Sequence, residues 1–314
     1  MTVRVATVQA EPVWFDLTAT TQKTLALIGE AAHGGAELVA FPETWLPGYP
    51  LFLWSHTVAD QMPLVAAYHA NSARIDGPEI TAIREAAREH EIMVVVGFSE
   101  KDHGTLFISQ AVIGADGSLL LHRRKLKPTH VERTLFGESD GSGLQVLDTP
   151  IGRVGALNCW EHLQPLLKFT MYAQHEQIHI ASWPALGNGF EQLSPSASLA
   201  MSRTYALEGS MFVLTSSIVV TRLPGAEQIG ALGSARVYGP DGALLTEPIE
   251  GEGIVFADLD LALIDLAKAF ADPVGHYSRP DVFTLSVDRS PRTPASLGPA
   301  PATGDLQLEP VLID

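Results

Sequence analysis

The single cysteine of this chain, Cys159, closes an apolar run (154–158) that reads as a buried strand. A thiolate is the strongest side-chain nucleophile near neutral pH. Two other strand ends carry groups that complement it. In Phe41-Pro42-Glu43-Thr44-Trp45 a short apolar stretch runs into a carboxylate, and the basic run 123–133 supplies Lys125 and Lys127 with Glu132 and Glu138 close by. A thiol, a base to take its proton and a cation to steady developing negative charge are the parts needed to hydrolyse a carbon–nitrogen bond through a covalent intermediate. Each also has an ordinary reading: an inert core thiol, a capping carboxylate, a solvated basic face. Lys125 and Lys127 are two residues apart, so strand alternation does not separate them.

The elements that must position these groups alternate. Residues 3–9, 38–41, 92–98, 151–158, 178–182 and 211–218 read as strands, several of them wholly apolar. Residues 21–32, 78–90, 163–174 and 195–208 carry helical spacing, with Gly34-Gly35 stopping the first helix and Pro78 opening the second. Buried strands alternating with helices give sheets covered by helical layers. Two Asp-Gly hairpin signals, Gly114-Ala115-Asp116-Gly117 and Gly239-Pro240-Asp241-Gly242, sit before similar apolar pairs and form a weak internal echo. Past residue 285 prolines lie among Ser, Thr, Ala and Gly. The expected organisation is one domain over residues 1–285 and an extended or disordered Pro-rich tail over 286–314.

Four segments in register, FPETWLPGYP (41–50), RRKLKPTHVERTLFGE (123–138), GALNCWEHLQPL (155–166) and DPVGHYSRPDV (272–282), resemble the nitrilase superfamily of carbon–nitrogen hydrolases. The wording is closest to arylacetonitrilases and aliphatic nitrilases. The resemblance implies a four-layer αββα sandwich with pseudo-twofold symmetry. It puts the family's catalytic glutamate on Glu43, its lysine on Lys125, its cysteine on Cys159 and a second glutamate on Glu132. It implies nitrile hydrolysis to the acid and ammonia through thioimidate and thioester intermediates. An amidase or N-carbamoyl hydrolase using the same residues is the neighbouring reading, and a non-catalytic oligomeric scaffold is the reading from another class. A homodimer or larger homo-oligomer is implied, as family members pair through helices and extend into spirals.

Composition bounds the partners. A formal charge of −16, from 20 basic and 36 acidic residues, opposes nucleic-acid binding. The apolar runs fall short of the roughly 18 residues that span a bilayer. The N-terminus leads directly into a strand without a secretory signal pattern. One cysteine forms no intrachain disulfide, and an exposed catalytic thiol suits a reducing, cytoplasmic setting. The expected partners are a small nitrile and water, with no cofactor, no metal, no nucleic acid and no membrane. Trp45, Tyr49, Trp54, Trp160 and Trp183 cluster around the strand-end motifs and, with His130, are expected to wall an apolar substrate pocket. His175-Glu176-Gln177-Ile178-His179 matches the H-E-x-x-H zinc pattern, but His179 falls in a strand, where the two histidines cannot share a helical face.

Overall fold

The computed structural model describes residues 1–184, 191–220 and 233–293. The chain opens with β1 (Thr2–Ala10), α1 (Leu17–His33), β2 (Leu38–Ala40), α2 (Val58–Ala70) and α3 (Pro78–Glu89). A meander follows: β3 (Met93–Asp102), β4 (Thr105–Ile113) and β5 (Leu119–Arg124). The second half runs β6 (Leu147–Thr149), β7 (Gly152–Asn158), α4 (Pro165–Tyr172), β8 (Ile178–Trp183), α5 (Pro195–Gly209), β9 (Phe212–Ile218) and β10 (Arg236–Tyr238). It closes with β11 (Gly253–Asp260) and α6 (Ala262–Phe270).

Among the described residues the strands form one connected sheet of order β5-β4-β3-β2-β1-β9-β8-β7-β6, with β10 on β9 and β11 on β1. Among the described residues the two halves of the sheet pair only where the end of β1 meets the end of β9, through Gln9↔Ser217 and Ala10↔Ile218. The sheet can therefore fold over on itself, and alternation assigns each face. Val3, Val5, Leu38, Ala40, Val95, Ala156, Ile178, Ile180, Phe212 and Leu214 pack between the two halves. Val39, Phe41, Val94 and Val96 point the other way, onto Ile28 and Ala31 of α1 and Ile80 and Ile83 of α3. Leu157, Ala181 and Val213 likewise face Met171, Tyr205 and Ala206 of α4 and α5. The result is the expected αββα sandwich.

The internal echo is structural. In each half three parallel strands (β1, β2, β3; β7, β8, β9) are followed by an antiparallel fourth, β4 or β10. The two Asp-Gly turns are built alike. Gly114 and Gly239 N–H donate to the carbonyls of Ser118 and Ala243, and Asp116 and Asp241 accept from the N–H two residues on. Gly117 and Gly242 supply the left-handed corner at φ 78° and 72°.

One helix has no counterpart in the sequence reading, one expected helix starts later, and part of the C-terminal stretch is held in place. α2 carries Pro63 inside it and buries only Tyr68, so its sequence lacks both a clean stripe and an unbroken run. The helix expected over 163–174 starts at Pro165, which lacks the N–H to continue a preceding turn, and residues 159–163 instead form a tight 3₁₀ turn. Residues 286–293 have no regular structure but are anchored, with Arg292 N–H donating to Asp140 Oδ2 at 2.7 Å. Pro294, Pro299, Pro301 and Pro310 lie outside the described residues.

Two features fix the strands that deliver chemistry. Gly97 of β3 lies under the loop after β2, where a Cβ would sit 2.1 Å from the Pro42 carbonyl oxygen. Glu100 of β3 accepts from Ser109, His122 and Arg124, clamping the meander just before Lys125. Burial would raise the Glu100 carboxyl, but the His122 and Arg124 hydrogen bonds bring it down to about 2.

Gly97→Ala is expected to cost about 1–3 kcal/mol through overpacking against backbone, read by urea unfolding. For Glu100 the folded-state pKa lies below the unfolded one. Its contribution is therefore complete above pH 4.5 and is lost as pH falls towards 2. Glu100→Gln should flatten the acid limb of stability by about 3 kcal/mol over that window, and an unchanged limb would refute the assignment.

Candidate active site

Three strand ends deliver the titratable groups to one buried place. β2 ends just before Phe41, whose N–H donates to Val95 O at 2.8 Å, and Thr44 then turns the chain at φ 45°. Glu43 precedes that turn. Lys125 directly follows β5, its N–H held by Ile108 O at 2.7 Å. Glu132 sits in a short 3₁₀ turn, His130–Thr134, and Cys159 begins the one after β7 at φ 47°. Glu43, Lys125, Glu132 and Cys159 are each at most 1% exposed.

The ammonium of Lys125 is the hub. Its Nζ donates to Glu43 Oε1 at 3.0 Å and to Glu132 Oε2 at 2.9 Å. Glu132 is itself held: Oε2 accepts the Thr129 N–H at 2.7 Å and Oε1 accepts the Tyr49 hydroxyl at 3.0 Å. Trp54 Nε1–H in turn donates to the Tyr49 oxygen at 3.3 Å. Glu43 Oε2 is buried without a hydrogen bond. The structure thus separates Lys125 from Lys127, and Glu132 from Glu138. Lys127 and Glu138 pair with each other at the surface, each 56% exposed.

Burial governs the electrostatics. It pushes the Glu43 carboxyl up to about 8, with Lys125 opposing. Burial alone would lower the Lys125 ammonium, yet Glu132 and Glu43 hold it well above its usual value. The Cys159 thiol is pushed well up by burial and by the Glu43 charge, while Lys125 and the Trp160 N–H pull it back. Burial thus favours the protonated form of the sulfur and raises the basicity of Glu43.

A buried polar seam registers the cysteine turn against the lysine. Arg123, 2% exposed, pairs with Glu161 at 2.7 Å and reaches Gln110 Oε1 at 2.7 Å. Gln110 donates to Ser182 Oγ, and Ser182 to Phe41 O. Glu161 also accepts the N–H of Leu126 and of Asn158, each at 2.8 Å, so one carboxylate grips the chain beside Lys125 and beside Cys159. The basic run is thus not a solvated face: Arg123 and Lys125 point in, and Arg124 binds Glu100 and Asp102. Sequence reasoning missed Arg123 and Glu161. The even spacing of Arg123 from Lys125 and the place of Glu161 two residues after Cys159 were the available signals.

The expected pocket residues divide. Trp160 and Trp183 line a recess against Cys159, together with Pro184, Leu193, Ser198 and Ile218. Trp54 stacks on His130 with ring centroids 5.4 Å apart, and His130 and Trp160 also line a wider cleft. Tyr49 is buried and reaches the site through Glu132. Trp45 is corrected to a core residue: it is fully buried against Phe41, and its Nε1–H donates to Thr24 of α1. In the H-E-x-x-H pattern His175 is exposed at a left-handed turn, whereas His179 is buried in β8.

The profile of the carbon–nitrogen hydrolase family matches residues 4–269. The chain belongs to that family. Within this carbon–nitrogen hydrolase family it is 51% identical to an arylacetonitrilase of Aspergillus kawachii, covering 92% of this chain and 92% of that one. It is 48% identical to an aliphatic nitrilase of Rhodococcus rhodochrous, covering 94% and 85%. The fold matches a carbon–nitrogen hydrolase from Helicobacter pylori at a TM-score of 0.72 and 21% identity, covering 90% of this chain and 97% of that one. It also matches the NitFhit protein of C. elegans at 0.74 and 20%, covering 95% and 70%.

Replacing Lys125 by Met leaves Glu43 and Glu132 buried without their shared cation. The expected loss is about 3–5 kcal/mol, against a change within about 0.5 kcal/mol for Lys127→Met. Paired urea melts at one pH decide it.

Proposed function

We propose that this carbon–nitrogen hydrolase is a nitrilase, converting R–C≡N and two waters to R–COOH and ammonia, with Cys159 as nucleophile. The reading is carried by one observation: the only thiol of the chain lies in a buried site with an ammonium held between two carboxylates. Kinship with arylacetonitrilases and aliphatic nitrilases supports the nitrile as substrate.

As the sulfur attacks the nitrile carbon, its proton passes to Glu43, whose raised basicity near neutral pH suits a general base. The nitrogen takes a proton and a thioimidate forms. Glu43 then activates water, and the tetrahedral species develops negative charge that Lys125 and the Trp160 N–H stabilise. Loss of ammonia leaves a thioester, which a second water hydrolyses. Glu132 steadies Lys125 and, with Tyr49, completes the wall behind it. Trp160, Trp183 and Ile218 give apolar contact for an aryl or alkyl group in a recess that Ser194, Ser198, Ser217 and Ser234 also line. His130 and Trp54 stand at the cleft side.

The catalytic unit in this reading is one domain over residues 1–285 with an appended tail. The protein works in the cytoplasm as a homodimer or larger homo-oligomer. No helix among the described residues is long and apolar enough to cross a membrane.

Wild type given phenylacetonitrile, or an aliphatic nitrile, should release equimolar ammonia and acid. Cys159→Ala should release neither, and Glu43→Gln should lose about 10²–10⁴ in rate. Ammonia from simple amides but from no nitrile would replace the nitrilase reading with an amidase one.

A further inference from the structure

Behind the cysteine turn lies a second buried titratable cluster that the proposed chemistry does not use. We propose that Glu176, as a neutral carboxylic acid, heads a one-way chain of hydrogen bonds through His179 and His162 that ends on the Cys159 carbonyl and holds that residue in its left-handed conformation. These are positioning residues, and the role rests on reading Cys159 as the nucleophile.

The links are continuous. Glu176 Oε1 lies 2.7 Å from His179 Nδ1, His179 Nε2 lies 2.9 Å from His162 Nε2, and His162 Nδ1 lies 2.6 Å from Cys159 O. Counting hydrogens orders them. A carbonyl oxygen only accepts, so His162 Nδ1 carries a hydrogen. A neutral His162 then offers a bare Nε2, and His179 must donate to it from its own Nε2. With His179 neutral, its Nδ1 is then bare, and Glu176 donates to it in the acid form. Tyr205 donates its hydroxyl to Oε2 at 2.8 Å, leaving Oε1 as the hydroxyl oxygen.

The alternative orders place an anion on Glu176 and an imidazolium on His179 or on His162. Glu176 and His179 are fully buried and His162 is 1% exposed, so both charges would stand without solvent. The charged groups acting on the two rings are Arg123, Glu161 and Lys168, and Arg123 and Glu161 are already paired with each other. Burial pushes Glu176 up to about 8, and burial with His179 brings His162 down to about 3, in keeping with the neutral order.

The surroundings are shaped for the chain. Tyr205 stacks on His179 at 3.8 Å between centroids, and Trp183, which lines the recess, stacks on His162 at 5.2 Å. A Cβ on Gly155 would fall 1.9 Å from Glu176 Oε1, so β7 admits the carboxyl only because glycine stands there. At φ 47° Cys159 occupies a conformation that L-residues avoid, and an anchored carbonyl offsets that preference.

The test joins spectra to kinetics on the full chain. Infrared spectra of ¹³C-Glu-labelled protein at pH 7 should show a neutral carboxylic-acid band that disappears in Glu176→Gln. Nitrogen NMR of ¹⁵N-His protein should show the Nδ1–H tautomer for His162, the Nε2–H tautomer for His179 and no imidazolium at either. Glu176→Gln keeps a donor for His179 and an acceptor for Tyr205. It should hold kcat and the rate of Cys159 alkylation by iodoacetamide within about threefold. Glu176→Ala should lower both by about 10²-fold with KM little changed. An imidazolium at His179 or His162, no acid band assignable to Glu176, or a Gln variant as impaired as the Ala variant would overturn the proposal. Spectra and alkylation need no turnover, so they stand or fall apart from the choice of nitrile as substrate; should Glu176→Ala not fold, wild type and Glu176→Gln still decide.

Discussion

A fully buried ammonium between two buried carboxylates is the constraint on which the rest of the site depends. Lys125 serves Glu43 and Glu132 in a place without solvent, an arrangement stable only if every group is held. Much of the local architecture does the holding. Tyr49 and the Thr129 N–H fix Glu132, Ile108 fixes the Lys125 backbone, and the strands around Gly97 fix the loop of Glu43. Such a triad adds little stability by itself. Its value is a carboxylate whose basicity sits near neutrality and a cation that cannot leave.

Local backbone strain accompanies each delivering segment. Thr44 after Glu43, His130 before Glu132 and Cys159 itself all adopt positive φ without being glycine, at 45°, 45° and 47°. Each costs free energy that only a surrounding structure can offset. The offsets differ. Stacking on Trp54 flanks His130, and the carbonyl of Cys159 is anchored from below by His162.

Most strands and helices were legible because apolar period and punctuation agreed, as in β1, β8 and α3. α2 was hidden by Pro63 and by its single buried side chain. Glu43 and Cys159 stood out as polar residues ending apolar runs. Preferring Lys125 to Lys127 and Glu132 to Glu138 needed either kinship or coordinates, since period 2 and loop context treat the members of each pair alike. Arg123 and Glu161 were illegible for a deeper reason. A buried ion pair leaves the same letters as two exposed charges, and only packing tells them apart. Trp45 was misread because rim and core tryptophans share one sequence context.

The two-half architecture has a mechanical consequence. Glu43, Lys125 and Glu132 belong to the first repeat and Cys159 to the second, while among the described residues the two halves of the sheet pair side by side only at the tips of β1 and β9. The gap between sulfur and base is thus a spacing between two layers, gauged by the Val, Ile, Leu and Ala side chains sandwiched there and locked by the Arg123–Glu161 seam. Those apolar residues act as shims that set how far apart the two halves stand.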